Sequence, residues 1–365
     1  MHDNILKLDI LGHDGPAMLK YLGDFTGVDT TSVDIADEKV LSLFNSATAL
    51  EMDPRELRIN IEFGTLGIPE FGTSFAMGML KDTLPTTVSE LVRIAGLSHG
   101  TDVWLGNAQD LIKSGTCTLS QAICCRDDIM LFLIKMGMDK KQSFVIMEQV
   151  RKGKGLKPEQ VEDMMEHDVP DWYIESCKKI KYMFPKAHAV AYVVLSLRIA
   201  WFKVYYPVAY YCTRFTLKVD EFDAENMIHG VDKAFMKMTE MKKQGSALTD
   251  KDDRQLIIYE QLMELYARGV EFLPVDLYKS DAVVFRPEDG KIRPPFSALQ
   301  GVGTNAAQAI VDARNDGKGE FISIADLRAR AKLNKAVIET LRAEGCLDGM
   351  PEDDNLSLLD LLDGI

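Results

Sequence analysis

Four constellations in this 365-residue sequence carry residue types that could do chemistry. Asp9 sits alone in the apolar run LKLDILG. A lone acid there is costly to bury unless it caps a strand end, pairs with a cation or binds a metal, and all three readings stay open. Arg151, Lys152 and Lys154 stand among glycines in RKGKG, and Lys186 and His188 lie in FPKAHAVAY, at the start of a long apolar segment. Cations beside glycines can cradle phosphate, and a helix amino end favours an anion. A solvated basic loop fits the same residues. Gly301-Val302-Gly303 directly precedes a helix expected from Thr304 and Asn305. That pattern fits a helix-hairpin-helix, in which glycine lets backbone N–H groups approach a DNA phosphate, or a tight turn between two helices. A second helix pair is expected in LNKAVIETLRAEGCLD, 333–348, at a spacing suited to a tandem unit. Near the end, Asn355-Leu356-Ser357-Leu358-Leu359 follows PEDD. It reads as a docking peptide for a partner's groove or as one turn of terminal helix.

Other chemistries find no support. The six cysteines (117, 124, 125, 177, 212 and 346) form no CxxC pair, and the six histidines show no HxxxH or HExxH spacing, so no zinc is expected. The cysteines read as reduced cytosolic thiols. Two-Mg²⁺ phosphoryl chemistry needs several carboxylates, and the run around Asp9 supplies one.

The elements that must position these residues are mainly α with minor β. Residues 4–12 read as a short strand, and 16–60 as helical with Asp and Ser punctuation. The glycines and proline of 61–73 break the pattern into a loop or short strand. Helices separated by short polar signals fill 74–245, and the one near 189–206 is apolar nearly all round, which makes it the buried centre of its region. Residues 274–298 suggest short strands, VDLYKSDAVVF and KIRPPFSAL, with a PEDG turn, before compact helix pairs to about 349 and an acidic tail. The longest apolar stretch, 187–202, is interrupted by Ser196 and Arg198, and no signal peptide opens the chain, so the sequence predicts a soluble, cytoplasmic protein.

Charge is distributed unevenly. With 42 Lys and Arg against 56 Asp and Glu, the formal charge is −14, which on its face argues against a polyanionic partner. Residues 1–70 carry five basic and thirteen acidic side chains, and 159–175 carry seven acids and no Lys or Arg. Residues 178–218, in contrast, carry eight Lys and Arg and no acid. The middle of the chain is locally basic, so the total does not exclude nucleic acid.

The strings KLDILGHD, GTLGIPEFGT, GLSHGTDVWLGNAQ, CRDDIM, VRKGKGL, DVPDWYIESCKKIKYMFPKAHAVAYV and PPFSALQGVGTNAA closely resemble the carboxy-terminal quarter of the PolC-type DNA polymerase III alpha chains of low-GC Gram-positive bacteria. The resemblance runs in order over essentially the whole chain. It implies a replicative DNA-directed DNA polymerase, with residues 1–14 as the end of the palm, 15–265 as fingers, 270–349 as a duplex-binding domain with tandem helix-hairpin-helix, and 350–365 as an acidic tail.

The resemblance also implies roles. Asp9 matches the family's third palm aspartate, a catalytic ligand of Mg²⁺. Arg126, Arg151, Lys152, Lys154, Lys186 and His188 are expected on the phosphates of the incoming dNTP. Ser98, His99, Gly100, Thr101, Asp102 and Asn107 are expected near template and nascent pair, and Gly301, Val302, Gly303, Thr304 and Asn305 on the duplex backbone. Residues 355–359 are similar to the family's sliding-clamp peptide QLSLF, with Asn355 in place of Gln and Leu359 in place of Phe. The expected partners are therefore primer–template DNA, dNTP, a sliding clamp and the missing polymerase domains. With one palm carboxylate, the chain alone is expected to be inactive. Two rivals follow from the same residues. One is a stand-alone DNA-binding and clamp-tethering protein. The other is a helix-hairpin-helix base-excision enzyme drawing on Lys332, Lys335 and Asp326, which leaves the long polymerase strings unexplained.

Overall fold

The computed structural model describes residues 13–353. Asp9, the strand expected over 4–12 and the peptide Asn355–Leu359 lie outside the described residues. Packing divides the chain into two units, one of residues 1–30, 51–60 and 205–365 and the other of residues 31–50 and 61–204. Among the described residues the architecture is mainly helical, with one two-stranded sheet.

The first unit begins with α1, Asp14–Thr26. Gly27 ends it in a left-handed conformation, its N–H bonding back to the Gly23 carbonyl. The rest of 16–60 is less helical than its pattern suggests. After α1 come α2, Glu38–Ser42, of the second unit, and a single 3₁₀ turn, Thr48–Leu50. Asp, Ser and Thr are dense between 29 and 37, and they satisfy the backbone locally, as Asp34 does by accepting the Ala36 N–H at 2.8 Å.

The second unit continues through α3 (Ser74–Thr83), α4 (Val88–His99), α5 (Gln109–Lys113), α6 (Arg126–Lys135), α7 (Lys140–Val150), α8 (Pro158–Glu166), α9 (Asp171–Lys179) and α10 (Lys186–Tyr205). α4 is fixed at its start by a capping box, Thr87 bonding the Glu90 N–H while the Glu90 carboxylate accepts the Thr87 N–H. α10 is long and apolar enough to cross a membrane on length and composition alone. Here it buries Val193, Leu197, Ile199, Ala200 and Phe202 as the core helix of the unit. It also buries Lys203, whose ammonium donates to the carbonyls of Gly64 and Leu66 at 2.8 and 2.7 Å. A buried cation survives only when its protons are taken up in this way.

The first unit resumes with α11 (Pro207–Thr216), α12 (Ala224–Met227), α13 (Val231–Lys243) and α14 (Asp250–Ala267). The strands expected in 275–285 do not form. Asp276 accepts the N–H groups of Tyr278 and Lys279, Asp281 accepts those of Val283 and Val284, and these side-chain turns replace a ladder. The apolar residues of that stretch serve as buried anchors instead, Phe285 completely so. The sheet lies just downstream, β1 (Arg286–Glu288) against β2 (Lys291–Arg293), antiparallel with Pro287 opposite Ile292. Its turn is the expected PEDG, with Asp289 and Gly290 both at positive φ, the geometry of a type I′ hairpin.

Among the described residues three further helices follow in this unit, α15 (Thr304–Arg314), α16 (Ile324–Ala331) and α17 (Lys335–Ala343). The segment 333–348 supplies one helix rather than a pair. α17 follows α16 after Lys332, which takes the left-handed conformation at the end of α16, while Asn334 caps α17 through the Val337 N–H; the helix packed on α16 is α15.

Candidate nucleotide and duplex-binding sites

In the second unit the residues Lys181–Phe184 form a short extended segment held by three loops. Thr101 bridges Tyr182 in antiparallel fashion, with the Thr101 N–H on the Tyr182 carbonyl at 2.9 Å. The Met183 N–H reaches the Arg151 carbonyl, and the Arg126 N–H reaches the Phe184 carbonyl at 3.2 Å. Gly153 belongs to the same contact. Its φ is 66°, and a Cβ there would lie 2.6 Å from the Lys181 carbonyl oxygen, so only glycine lets RKGKG lie against this segment.

This threading brings together residues spread over sixty positions. Arg126 begins α6, Arg151 ends α7, Lys152 and Lys154 follow in the loop, and Lys186 begins α10. Glu148 neutralises part of the cluster, with Arg151 bonding it through Nε and Nη2, Lys152 Nζ at 2.8 Å and Arg126 Nη1 at 4.0 Å. The Arg151 bonds hold the Glu148 carboxyl down at about 2, and they raise Arg151 in turn. Lys154 is exposed and has no carboxylate partner among the described residues.

The helix amino ends here are already occupied. The Lys186 N–H, first of α10, donates to Asp127 at 2.7 Å, and the N–H groups of Cys124 and Cys125 donate to Asp128 at 3.1 and 3.0 Å. Arg93 lies 3.7 Å and Lys186 Nζ 3.9 Å from that same Asp128 carboxylate. The protein thus supplies its own anions to these amides, and what it offers a ligand is cationic side chains. His188 is held by its rings' neighbours, stacked on Phe184 at 4.7 Å and tilted against Tyr192 at 4.5 Å.

The segment 98–107 shares this region. Ser98 donates to the Ala95 carbonyl, and His99 bonds the Glu70 carboxylate at 2.7 Å. Gly100 lies against Val103 and the Tyr182 carbonyl, and Thr101 and Asp102 are exposed. Asn107 is buried, donating to the carbonyls of Asp102 and Ser176 at 3.0 and 3.3 Å. Its side chain braces the loop from within. Lys179 braces the same loop from outside, on the Gly106 carbonyl at 2.8 Å.

The counter-ions were missed in the sequence. Glu148 stands three and four residues before Arg151 and Lys152, a helical spacing that announces the pairs. Asp127 and Asp128 stand in the first turn of α6, where acids cap. Glu70–His99 and Arg93–Asp128 join residues 29 and 35 positions apart and leave no local signal.

In the first unit, Gly301 takes φ 86° and Val302 is buried, which turns the chain into α15 at Gly303. No side chain caps α15, whereas Ser323 caps α16 and Asn334 caps α17. Thr304 and Asn305 are exposed at an amino end whose N–H groups face solvent, a geometry suited to a phosphate. Arg328 of α16, Lys332 after it and Lys335 at the start of α17 are exposed. Arg330 is spoken for internally, by Asp316, Asp326 and the face of Phe321. Among the described residues no group of three or more His, Cys, Asp or Glu could hold a metal.

Known proteins carry the same parts. Residues 16–170 match the family model of the bacterial DNA polymerase III alpha subunit finger domain, and residues 269–355 match a helix-hairpin-helix motif model. These define the class, a DNA polymerase III alpha subunit finger region followed in the same chain by a helix-hairpin-helix module. The chain is 54% identical over 354 residues to a DNA polymerase III PolC-type of Clostridium perfringens, covering 97% of this chain and 24% of the relative. Identity is 52% over 354 residues to that of Caldanaerobacter subterraneus (97% and 25%) and 50% over 358 residues to that of Oceanobacillus iheyensis (98% and 25%). The chain belongs to the PolC-type DNA polymerase III family and spans about a quarter of the length of the curated relatives it matches.

Proposed function

We propose that this chain is the fingers and duplex-binding portion of a replicative DNA polymerase, with residues 15–265 as fingers, 270–349 on the duplex and 350–365 as a tail for a sliding clamp. The observation that carries the reading is the convergence of Arg126, Arg151, Lys152, Lys154 and Lys186 on one extended segment. Charge builds on the phosphate oxygens of a dNTP as the primer 3′-OH attacks the α-phosphate, and fixed cations stabilise that charge and the leaving pyrophosphate. Lys154, with no carboxylate partner among the described residues, and Lys186, whose Nζ stands 3.9 Å from Asp128 against 2.8 Å for Lys152 on Glu148, are the cations best disposed to meet a triphosphate. His188, clamped between two rings, presents its edge for a phosphate oxygen. The segment 98–107, braced by Asn107 and Lys179, is proposed to face template and nascent pair.

DNA is proposed to bind through the uncapped end of α15 and the exposed cations of α16 and α17, by contacts to the backbone that carry no sequence information. Polymerases of this family depend on metal, and Mg²⁺ supplies charge neutralisation when bound. The described residues do not fit that ion, since they offer no carboxylate cluster to hold it. Asp9 is proposed as one of its ligands, with others in the missing palm, and no step is derived through the ion. The cytoplasm, where bacterial chromosomal DNA lies, is the proposed site of work.

Equilibrium binding of dATP to the 365-residue chain tests the reading. Saturable binding that weakens about fivefold or more in Lys154→Ala/Lys186→Ala is expected, on the worth of about 1 kcal/mol for a charge-assisted contact. Primer extension by the chain alone is expected to be absent. Unchanged dATP binding in that variant contradicts the proposal.

A further inference from the structure

Glu70 has a left-handed backbone, φ 67°, which a residue with a Cβ adopts only when its surroundings impose it. The imposing contacts come from α10. Buried Lys203 holds the carbonyls of Gly64 and Leu66, and Ser196 Oγ holds the Pro69 carbonyl at 2.9 Å, so the loop is anchored right up to the residue before Glu70. Glu70 is then aimed at His99, Oε2 standing 2.7 Å from Nε2.

The other ring nitrogen of His99 faces the Ala95 carbonyl at 2.7 Å, with the Ser98 oxygen 2.9 Å away. A carbonyl and an ionised carboxylate only accept, and the Ser98 hydroxyl has the Ala95 carbonyl within reach at 2.9 Å as an acceptor of its own. An imidazolium would donate to both acceptors at once, and the Glu70 carboxylate beside it favours that form. Glu70 raises His99 above the ordinary histidine value and is the charged group facing it, while Phe184 and Tyr192 pack on its ring at 5.5 and 6.4 Å. Those same two aromatic rings enclose His188.

We infer that Glu70 and His99 are positioning residues, a charged pair set behind the Phe184–His188–Tyr192 stack that fixes His188 against the phosphates of a nucleoside triphosphate. The inference rests on the proposed role of the basic face beside it. The pair itself touches no substrate.

Histidine-ring NMR of the ¹⁵N-labelled 365-residue chain, from pH 5 to 9 with and without dATP, tests it. Wild-type His99 is expected to keep both ring protons at pH 7.5. When it does lose one at higher pH, the His188 resonances are expected to move with the same midpoint, which checks the coupling without any substitution. In Glu70→Gln, His99 should be neutral at pH 7.5, the His188 ring signals should shift and dATP affinity should fall about threefold or more. A neutral wild-type His99, or His188 signals indifferent to the state of His99, overturns the inference. Absence of saturable dATP binding by the wild type removes the phosphate-binding reading, while the ring signals still decide the pair.

Discussion

Asp127 accepts the backbone N–H of Lys186 at 2.7 Å, tying the first turn of α6 to the first residue of α10 across 59 positions of sequence. One carboxylate thereby fixes the separation of two helix starts, and with it the placement of Arg126 relative to Lys186. An anion at a helix amino end satisfies an otherwise orphaned donor.

Removing that contact is expected to show as stability first. Asp127→Ala should cost about 1–2 kcal/mol, the range for a lost cap or a charge-assisted hydrogen bond. In a unit of this size the melting temperature should fall by roughly 2–4 °C per kcal/mol, and Asp127→Asn, which keeps an acceptor, should recover most of it. Differential scanning calorimetry of the three proteins checks this.

Glu148 competes with any phosphate for Arg151 and Lys152. Glu148→Gln is expected to tighten binding of tripolyphosphate by about two- to fivefold, matching ~0.5–1 kcal/mol for an exposed ion pair. The pH dependence has a definite sign. Because the folded carboxyl sits at about 2 instead of its ordinary 4.5, its ion pairs contribute fully above 4.5 and are lost as pH falls through about 2. The affinity gap between wild type and variant should therefore be flat from pH 8 to pH 5 and close only at strongly acidic pH, by isothermal titration calorimetry.

The two glycines of the α15 hairpin should respond differently to alanine. Gly301, at φ 86°, is strained by any Cβ, and Gly301→Ala should destabilise by about 1 kcal/mol. Gly303 has φ −70° and open space where a Cβ would point. Gly303→Ala should leave the melting temperature nearly unchanged yet weaken duplex binding, because the methyl group would stand where the proposed phosphate contact lies. Lys335→Ala should reduce the slope of log K against log salt by about 1. Fluorescence anisotropy on a labelled duplex, beside thermal melts, separates the cases.

Much of this was legible in the sequence where the signal is local. The all-round apolar run near 189–206 announced α10, RKGKG beside FPKAHAVAY announced a basic site, and GVG announced the turn into α15. Local side-chain chemistry misled elsewhere. VDLYKSDAVVF alternates like a strand, but Asp276 and Asp281 take its amides into turns, and the ladder moves to 286–293. The pattern from 16 to 60 is interrupted for the same reason. Long-range partners gave no sign at all. Nothing in GTLGIPEFGT says that Lys203 and Ser196 will pin it or that Glu70 will meet His99, because those contacts exist only once α10 is packed.

The most direct test of the central claim is hydrogen exchange across this segment in a full-length PolC-type polymerase carrying it, on primer–template, with and without the correct dNTP. The account predicts new protection at 151–155 and 181–188 on adding dNTP, and protection around 301–306 that depends on DNA alone. Protection by dNTP elsewhere in the segment with none at 151–155 and 181–188, or a hairpin indifferent to DNA, contradicts it.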